Sequence, residues 1–293
     1  MSKKCPSCRS ENIEFEIGLK DYFLSQEDFE IWICNDCKVS FTYPFPPESE
    51  IQRYYSSENY YSHSDDKNGL IPFMYKIVKS FNINTKYKQV TEGMTPGSLL
   101  DFGCGIGDFL VHARSKGWSV HGIETNEKAR RIASDKLNCE ILDGKGLSHF
   151  PDNHFDLITL FHVLEHVYSP DDLLSNLLRV LKPDGRLIFA LPNKNSYDAK
   201  FYKKFWAGWD VPRHLWHFNS ESINELLKNH QMRKFRQLPM PWDAFYVSLL
   251  SEQYKKSIFP LPKALLVGLI SNLKAFLSGQ YSSLIYCFQF KRN

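Results

Sequence analysis

The sequence has no uninterrupted apolar run near the roughly 18 residues of a membrane-spanning helix, and its opening Met-Ser-Lys-Lys-Cys-Pro has no apolar leader core. Both absences favour a cytoplasmic chain. Without a secretory leader, the seven cysteines suit metal ligation or the core better than disulfides. A large net charge is also missing. The formal +3 over 293 residues conceals an asymmetry: residues 1–60 carry six basic side chains against eleven acidic, residues 194–293 fifteen against six. The two ends should therefore meet different partners, or each other. Finally, a dinucleotide fingerprint begun by Gly103 and Gly105 needs a third glycine where the chain has Asp108. A pyrophosphate on the following helix is thereby disfavoured.

What stands there instead is Ser98-Leu99-Leu100-Asp101-Phe102-Gly103-Cys104-Gly105-Ile106-Gly107-Asp108-Phe109-Leu110. Apolar residues covered on both faces predict a parallel strand, the alternate glycines a turn that lets a ligand approach the backbone, and Phe109 and Leu110 the start of a helix. A second strand, Trp118 to Ile123, ends at Glu124, where an α/β nucleotide site places a carboxylate on ribose hydroxyls. Further strands follow at Phe155 to Phe161 and Arg186 to Leu191, separated by a helix at Leu173 to Leu181. The glycine run resembles the Asp/Glu-x-Gly-x-Gly-x-Gly signature of class I S-adenosylmethionine-dependent methyltransferases, and residues 97 to 193 follow that family's order of elements. The resemblance implies S-adenosyl-L-methionine as cofactor, held by Asp101, Gly103, Gly105, Gly107, Glu124 and His162. It also implies an adenine-binding segment at Asp143-Gly144-Lys145-Gly146-Leu147, with Asp143 as its acid or, one residue out of register, backbone groups of Lys145 or Gly146.

Two Cys-x-x-Cys pairs, Cys5 with Cys8 and Cys34 with Cys37, flank candidate strands at Ile13 to Ile17 and Glu30 to Ile33 and read as a zinc ribbon. Four thiolates close the coordination of Zn2+, so the ribbon should be structural or a recognition surface. Its acidity would repel phosphates, which makes nucleic acid an improbable partner. Cys104, Cys139 and Cys287 read as core thiols. A Phe-Pro-Pro linker, an expected helical turn at Ser49 to Tyr55, the Tyr60-Tyr61 pair and a helix over 69–92 that covers the cofactor lead to the glycine run. This order is similar to methyltransferases with an N-terminal zinc ribbon that modify sugars and cell-envelope precursors. A plain surface linker is the alternative.

The expected fold is α/β: a Rossmann-like seven-stranded methyltransferase sheet with its last strand antiparallel, preceded by a small zinc-ribbon module. The expected segments are 1–47 for the ribbon, 48–96 for the linker and covering helices, and 97–293 for the methyltransferase domain, with Ser220 capping a helix before the sixth strand. Methyl transfer needs an aligned nucleophile and, for a hydroxyl, a base. His162, Glu165 and His166 follow the fourth strand and resemble the Glu-x-x-Glu-His run that holds magnesium in ubiquinone-pathway O-methyltransferases. A histidine in place of the first acid disfavours a hard metal. Phe205 to Phe218 concentrates three tryptophans with His214, His217, Asp210 and Arg213, which suits a ring-stacking substrate pocket or an aromatic plug. As base we rank His214 first, His166 second and His217 third.

The favoured acceptor is a hydroxyl of a small-molecule or lipid-linked saccharide, with sugar C-methylation, an RNA methyltransferase and an inactive cofactor-binding scaffold as alternatives. Against RNA stand the acidic ribbon and the lack of an Asn-Pro-Pro-Tyr segment or paired catalytic cysteines. An insertion at about 246–280, with leucines at helical spacing beside Lys255, Lys256 and Lys263, suits peripheral contact with an anionic membrane, the protein's own core or a second subunit. The oligomeric state is left open.

Overall fold

The computed structural model describes residues 3–55 and 83–291. The Tyr60-Tyr61 pair and most of the expected covering helix lie outside the described residues, and its last part is helical over 83–91. Two sheets organise the chain. The larger is built from β4 (Ser98–Phe102), β5 (Ser119–Ile123), β6 (Phe155–Phe161), β7 (Leu181–Pro192), β9 (Met232–Pro239) and β10 (Ser283–Phe290), in the order β5-β4-β6-β7-β10-β9. The first four strands run parallel, and β10 enters antiparallel to both β7 and β9. Leu99, Leu100, Leu157, Ile158, Leu187 and Ile188 have no exposed surface, as expected of central strands covered on both faces.

The sheet has six strands among the described residues, not the expected seven. Where the third was expected, at Cys139 to Leu142, only the bridge between Ile123 and Leu142 forms. The preceding helix, Glu127–Leu137, ends on Asn138 in the left-handed region, and Cys139 is exposed rather than a core thiol, which leaves too little chain to continue the pairing. The helix before β9, Ser220–Lys228, is capped by Asn219 and not Ser220. Its side-chain oxygen accepts from the amides of Glu221 and Ser222, the usual service of an N-cap.

The smaller sheet combines β1 (Ile13–Lys20), β2 (Asp28–Cys34) and β3 (Ser40–Tyr43) with the two-residue β8 (Trp216–His217). The cysteine-bearing hairpin is thus paired directly to the aromatic segment that follows β7. Cys5, Cys34, Val39 and Phe41 share one apolar cluster with Leu100, Phe155 and Trp216. The hairpin is consequently part of the same core as the sheet that carries the glycine turn.

The insertion forms two packed helices, Asp243–Tyr254 and Pro260–Ser278. The second turns its small residues inward, Ala264, Val267, Gly268, Ser271 and Ala275. Any side chain at Gly268 would meet Phe245 at 2.6 Å. Ser271 donates to the buried carboxylate of Asp198 at 2.7 Å, which Trp206 and Ser282 also bind. The large residues therefore face outward: Phe259, Leu266, Leu273, Phe276 and Leu277 are each more than half exposed.

Candidate active site

The turn after β4 is shaped by three glycines with positive φ: Gly103 at +78°, Gly105 at +54° and Gly107 at +80°. Their surroundings differ. A Cβ on Gly103 would stand 2.4 Å from Val163, and one on Gly107 3.0 Å from Ala133, whereas nothing lies within 4 Å of one on Gly105. Gly103 and Gly107 are therefore required by packing, and Gly105 borders open space. Glu124 ties this turn to the end of β5: its carboxylate accepts the Gly105 amide and the Asn126 amide, each at 2.8 Å. Asp101 is buried beneath the turn and accepts the Thr159 hydroxyl at 2.7 Å. Burial pushes its pKa up to about 7. Asp143 is exposed and accepts the Lys145 amide at 2.9 Å, shaping its own loop beside the bridge to Ile123.

The end of β6 carries the histidine run. His162 sits in the left-handed region at φ +57° and donates its amide to the Ala190 carbonyl. Its ring is held between two carboxylates, Nδ1 3.5 Å from Glu165 and Nε2 3.4 Å from Asp243. Burial opposes a charge there, yet the hydrogen bonds and charges of Asp243 and Glu165 outweigh it and lift the pKa to about 9. His166 goes the other way, pushed down to about 4 by burial and by His214. The His166 and His214 rings meet edge to face with centroids 4.7 Å apart. Beside Glu165 and His214 lies a cavity of about 10 Å³, also lined by Lys194 and Trp216, scarcely room for one water.

The structure brings His162, His166 and His214 together around Glu165, and His217 lines the same small cavity as Glu165 and His214. Thr42 spends its single hydroxyl proton on the His214 carbonyl at 2.7 Å, so the 2.9 Å contact with His217 must use the Nε2–H of the histidine as donor. Nε2 then has no free lone pair. Burial also drives the His217 pKa well below the usual histidine range, and the residue sits in the β3–β8 pairing.

Two participants were not legible locally. Asp243 begins the first insertion helix, 81 positions beyond His162 in the sequence. Asp21, at the end of β1, pairs with the fully buried Arg213 at 3.1 Å, and Arg213 also binds Asp210 at 2.7 Å and the Tyr54 carbonyl at 3.0 Å. A bridge of this separation has no sequence periodicity to announce it.

The four paired cysteines converge as well. Their sulfurs all lie within 4.8 Å of one another, with Cys5 to Cys37 at 3.6 Å and Cys8 to Cys34 at 3.5 Å. A tetrahedral zinc with bonds of about 2.3 Å needs sulfurs about 3.8 Å apart. The donor set fits that ion.

A methyltransferase domain family matches residues 83–234, just over half of the chain. Among curated relatives, the ubiquinone/menaquinone biosynthesis C-methyltransferase UbiE of Shewanella piezotolerans is 31% identical over 136 residues, 41% of this chain and 54% of its own length. The ubiquinone biosynthesis O-methyltransferase of Thiobacillus denitrificans is 29% identical over 105 residues, 33% of this chain and 45% of its own. The chain thus spans about half the length of these relatives. Among solved structures, Haemonchus contortus phosphoethanolamine N-methyltransferase 2 with S-adenosyl-L-methionine aligns with a TM-score of 0.55 at 16% identity, covering 96% of this chain and 69% of that one. The [4+2]-cyclase SpnF aligns at 0.52 and 18% identity over 72% of this chain and 81% of its own, so the fold by itself does not fix the reaction. The glycine turn, its glutamate clamp and the family match over most of the larger sheet lead to one conclusion: this chain belongs to the methyltransferase domain family.

Proposed function

We propose that the protein transfers the methyl group of S-adenosylmethionine to a hydroxyl of a lipid-linked saccharide precursor. The observation that carries the cofactor half is the open space over Gly105, bordered by backbone that the Glu124 carboxylate holds in place. The sulfonium supplies the driving force when the cofactor is bound. The chain's task is to orient the acceptor, exclude water and take a proton, and the groups grouped for that last step are Glu165, His166 and His214. Zinc on Cys5, Cys8, Cys34 and Cys37 would hold the hairpin whose β3 carries β8 and hence His214. The relatives favour a second acceptor class, a quinone precursor. Incubation with labelled S-adenosylmethionine and either a lipid-linked saccharide or a quinone precursor is the test. Label in the saccharide is expected, label in the quinone alone would replace the acceptor, and no binding of the cofactor would end the reading.

The lipid half rests on the outward face of Pro260–Ser278, where Phe276 is 80% and Leu277 87% exposed. By length and a mean hydropathy of 1.3 this helix would suffice to cross a bilayer. Its small-residue face packs on the first insertion helix, however, so we place it in the plane of the interface. Lys255 and Lys256 precede it and Lys263 lies in its first turn, and each basic side chain near an anionic surface adds about 1 kcal/mol. The full chain should float with anionic liposomes at low salt, and the Lys255→Glu, Lys256→Glu, Lys263→Glu variant should float markedly less. If neither floats, the membrane contact is withdrawn.

A further inference from the structure

The geometry points to a further binding site, for an ammonium group carried on a ring-sized body, in the groove between the cysteine pairs and the helix Ser220–Lys228. The groove has a volume of about 190 Å³, against about 10 Å³ for the cavity beside Glu165. An apolar cavity of roughly 150 Å³ accommodates benzene, so this one has room for a single ring. Its floor is apolar: Val39, Trp216 and Phe218 are almost fully buried, and Leu226 lies beside them. The Trp216 indole N–H is spent on the Val167 carbonyl at 2.7 Å. Both aromatic residues therefore offer the groove ring carbon only.

The polar groups around that floor select the charge of the occupant. Asp171 and Glu225 both line the groove, and no lysine, arginine or histidine does among the described residues. Their side chains are 57% and 42% exposed, so the pairs they make, with His230 at 3.5 Å and Lys228 at 3.3 Å, are screened by water. Each carboxylate keeps lone pairs for a ligand. Ser222 is not available: its hydroxyl donates to the Asn219 carbonyl at 3.2 Å and accepts the Asn219 amide at 2.9 Å. Ser7 and the Asn229 amide remain for neutral polar groups on the occupant. Cys8 and Cys37 supply another wall, and with zinc bound four thiolates outweigh the charge of one Zn2+, which makes that wall anionic too.

The helix ends agree on balance. The groove reaches the C-terminal, negative end of Ser220–Lys228 at Asn229, while the positive N-terminus of Pro170–Val180 is already answered by Asp171 and Asp172 in its first turn. A cleft lined by one sign of charge over a low-dielectric floor concentrates the opposite charge, and aromatic faces add attraction for a cation. The same charges exclude a phosphate or a carboxylate. Trp216 and Phe218 also line the cavity beside Glu165 and His214, so the occupant would lie one aromatic side chain from the histidine cluster. Resting on the proposed reading for this point alone, it is a non-reacting, amine-bearing ring of the acceptor saccharide, held to position the rest.

The test is calorimetric titration of the full chain, prepared free of chelator at neutral pH, with two pairs of probes: D-glucosamine against D-glucose, and phenethylamine against 2-phenylethanol. Glucosamine is expected to bind more tightly than glucose by about tenfold or more, about 1.4 kcal/mol. A preference in the phenethylamine pair alone upholds the site and separates it from the saccharide reading. The double variant Asp171→Asn, Glu225→Gln should lose the preference, and Leu226→Trp, which fills the groove, should weaken the amine by about tenfold or more. Circular dichroism and a thermal melt show that these variants are folded. No preference for either amine, a preference that survives the double variant, or amine binding undiminished in Leu226→Trp overturns the site. None of these readouts depends on methyl transfer, so failure of the proposed reaction and failure of this site are told apart.

Discussion

Replacing Gly105 by valine is expected to abolish binding of S-adenosylmethionine while the protein stays folded. The backbone there lies at φ +54° and the space a side chain would enter is empty. A left-handed backbone angle costs a non-glycine residue roughly 1–2 kcal/mol, which a folded domain of several kcal/mol survives. The branched side chain would then fill the volume assigned to the cofactor, and affinity should fall by at least a hundredfold, about 2.7 kcal/mol. Isothermal titration with S-adenosylmethionine, alongside a thermal melt, separates the two effects. Gly103→Val supplies the contrast: it collides with Val163 at 2.4 Å, so it should lower the melting temperature as well as binding. A Gly105→Val protein that bound the cofactor with unchanged affinity would remove the turn from the cofactor site.

The largest loss of stability is expected from Arg213→Met. The guanidinium is 1% exposed and binds Asp21, itself buried, together with Asp210 and the Tyr54 carbonyl. Removing one member of a buried ion pair strands the other, at about 3–5 kcal/mol. Asp21 softens this only in part, because its oxygens also accept the amides of Phe23, Leu24 and Ser25. At the usual two to four degrees per kcal/mol, the melting temperature should fall by about 10 °C. Pairing the change with Asp21→Asn should recover part of the loss, since the stranded charge is then gone, and a double-mutant cycle measures the coupling. Additive losses would show that the bridge between the hairpin and the aromatic segment is not an energetic unit. Because Arg213 precedes His214, the single variant should also loosen the histidine cluster.

The parts that were legible in the sequence are those in which neighbours along the chain are neighbours in space. The glycine turn, Glu124 at the end of the next strand and the two cysteine pairs each follow from short spacings that local sterics or ligand geometry impose, whereas the antiparallel last strand was an expectation from the family resemblance. Turn-forming φ angles and the alternation of strand and helix need no knowledge of distant contacts. The missing edge strand failed on the same ground, since Cys139 to Leu142 has strand composition but lies after a helix end that leaves it one bridge long.

Tertiary structure alone decided how the pieces meet. Nothing in the spacing of residues 1–47 says that β3 pairs with Trp216 and His217, or that Thr42 meets the Nε2 of His217. The convergence of Glu165 and His166 with His214, the capture of His162 by Asp243, and the outward turn of Phe276 and Leu277 are likewise contacts between segments dozens of residues apart. The physical reason is that burial sets these roles: a histidine becomes a ligand, a cation or a packing residue according to the carbonyls and carboxylates that the fold brings to its two nitrogens, and only the packed chain determines which ones those are.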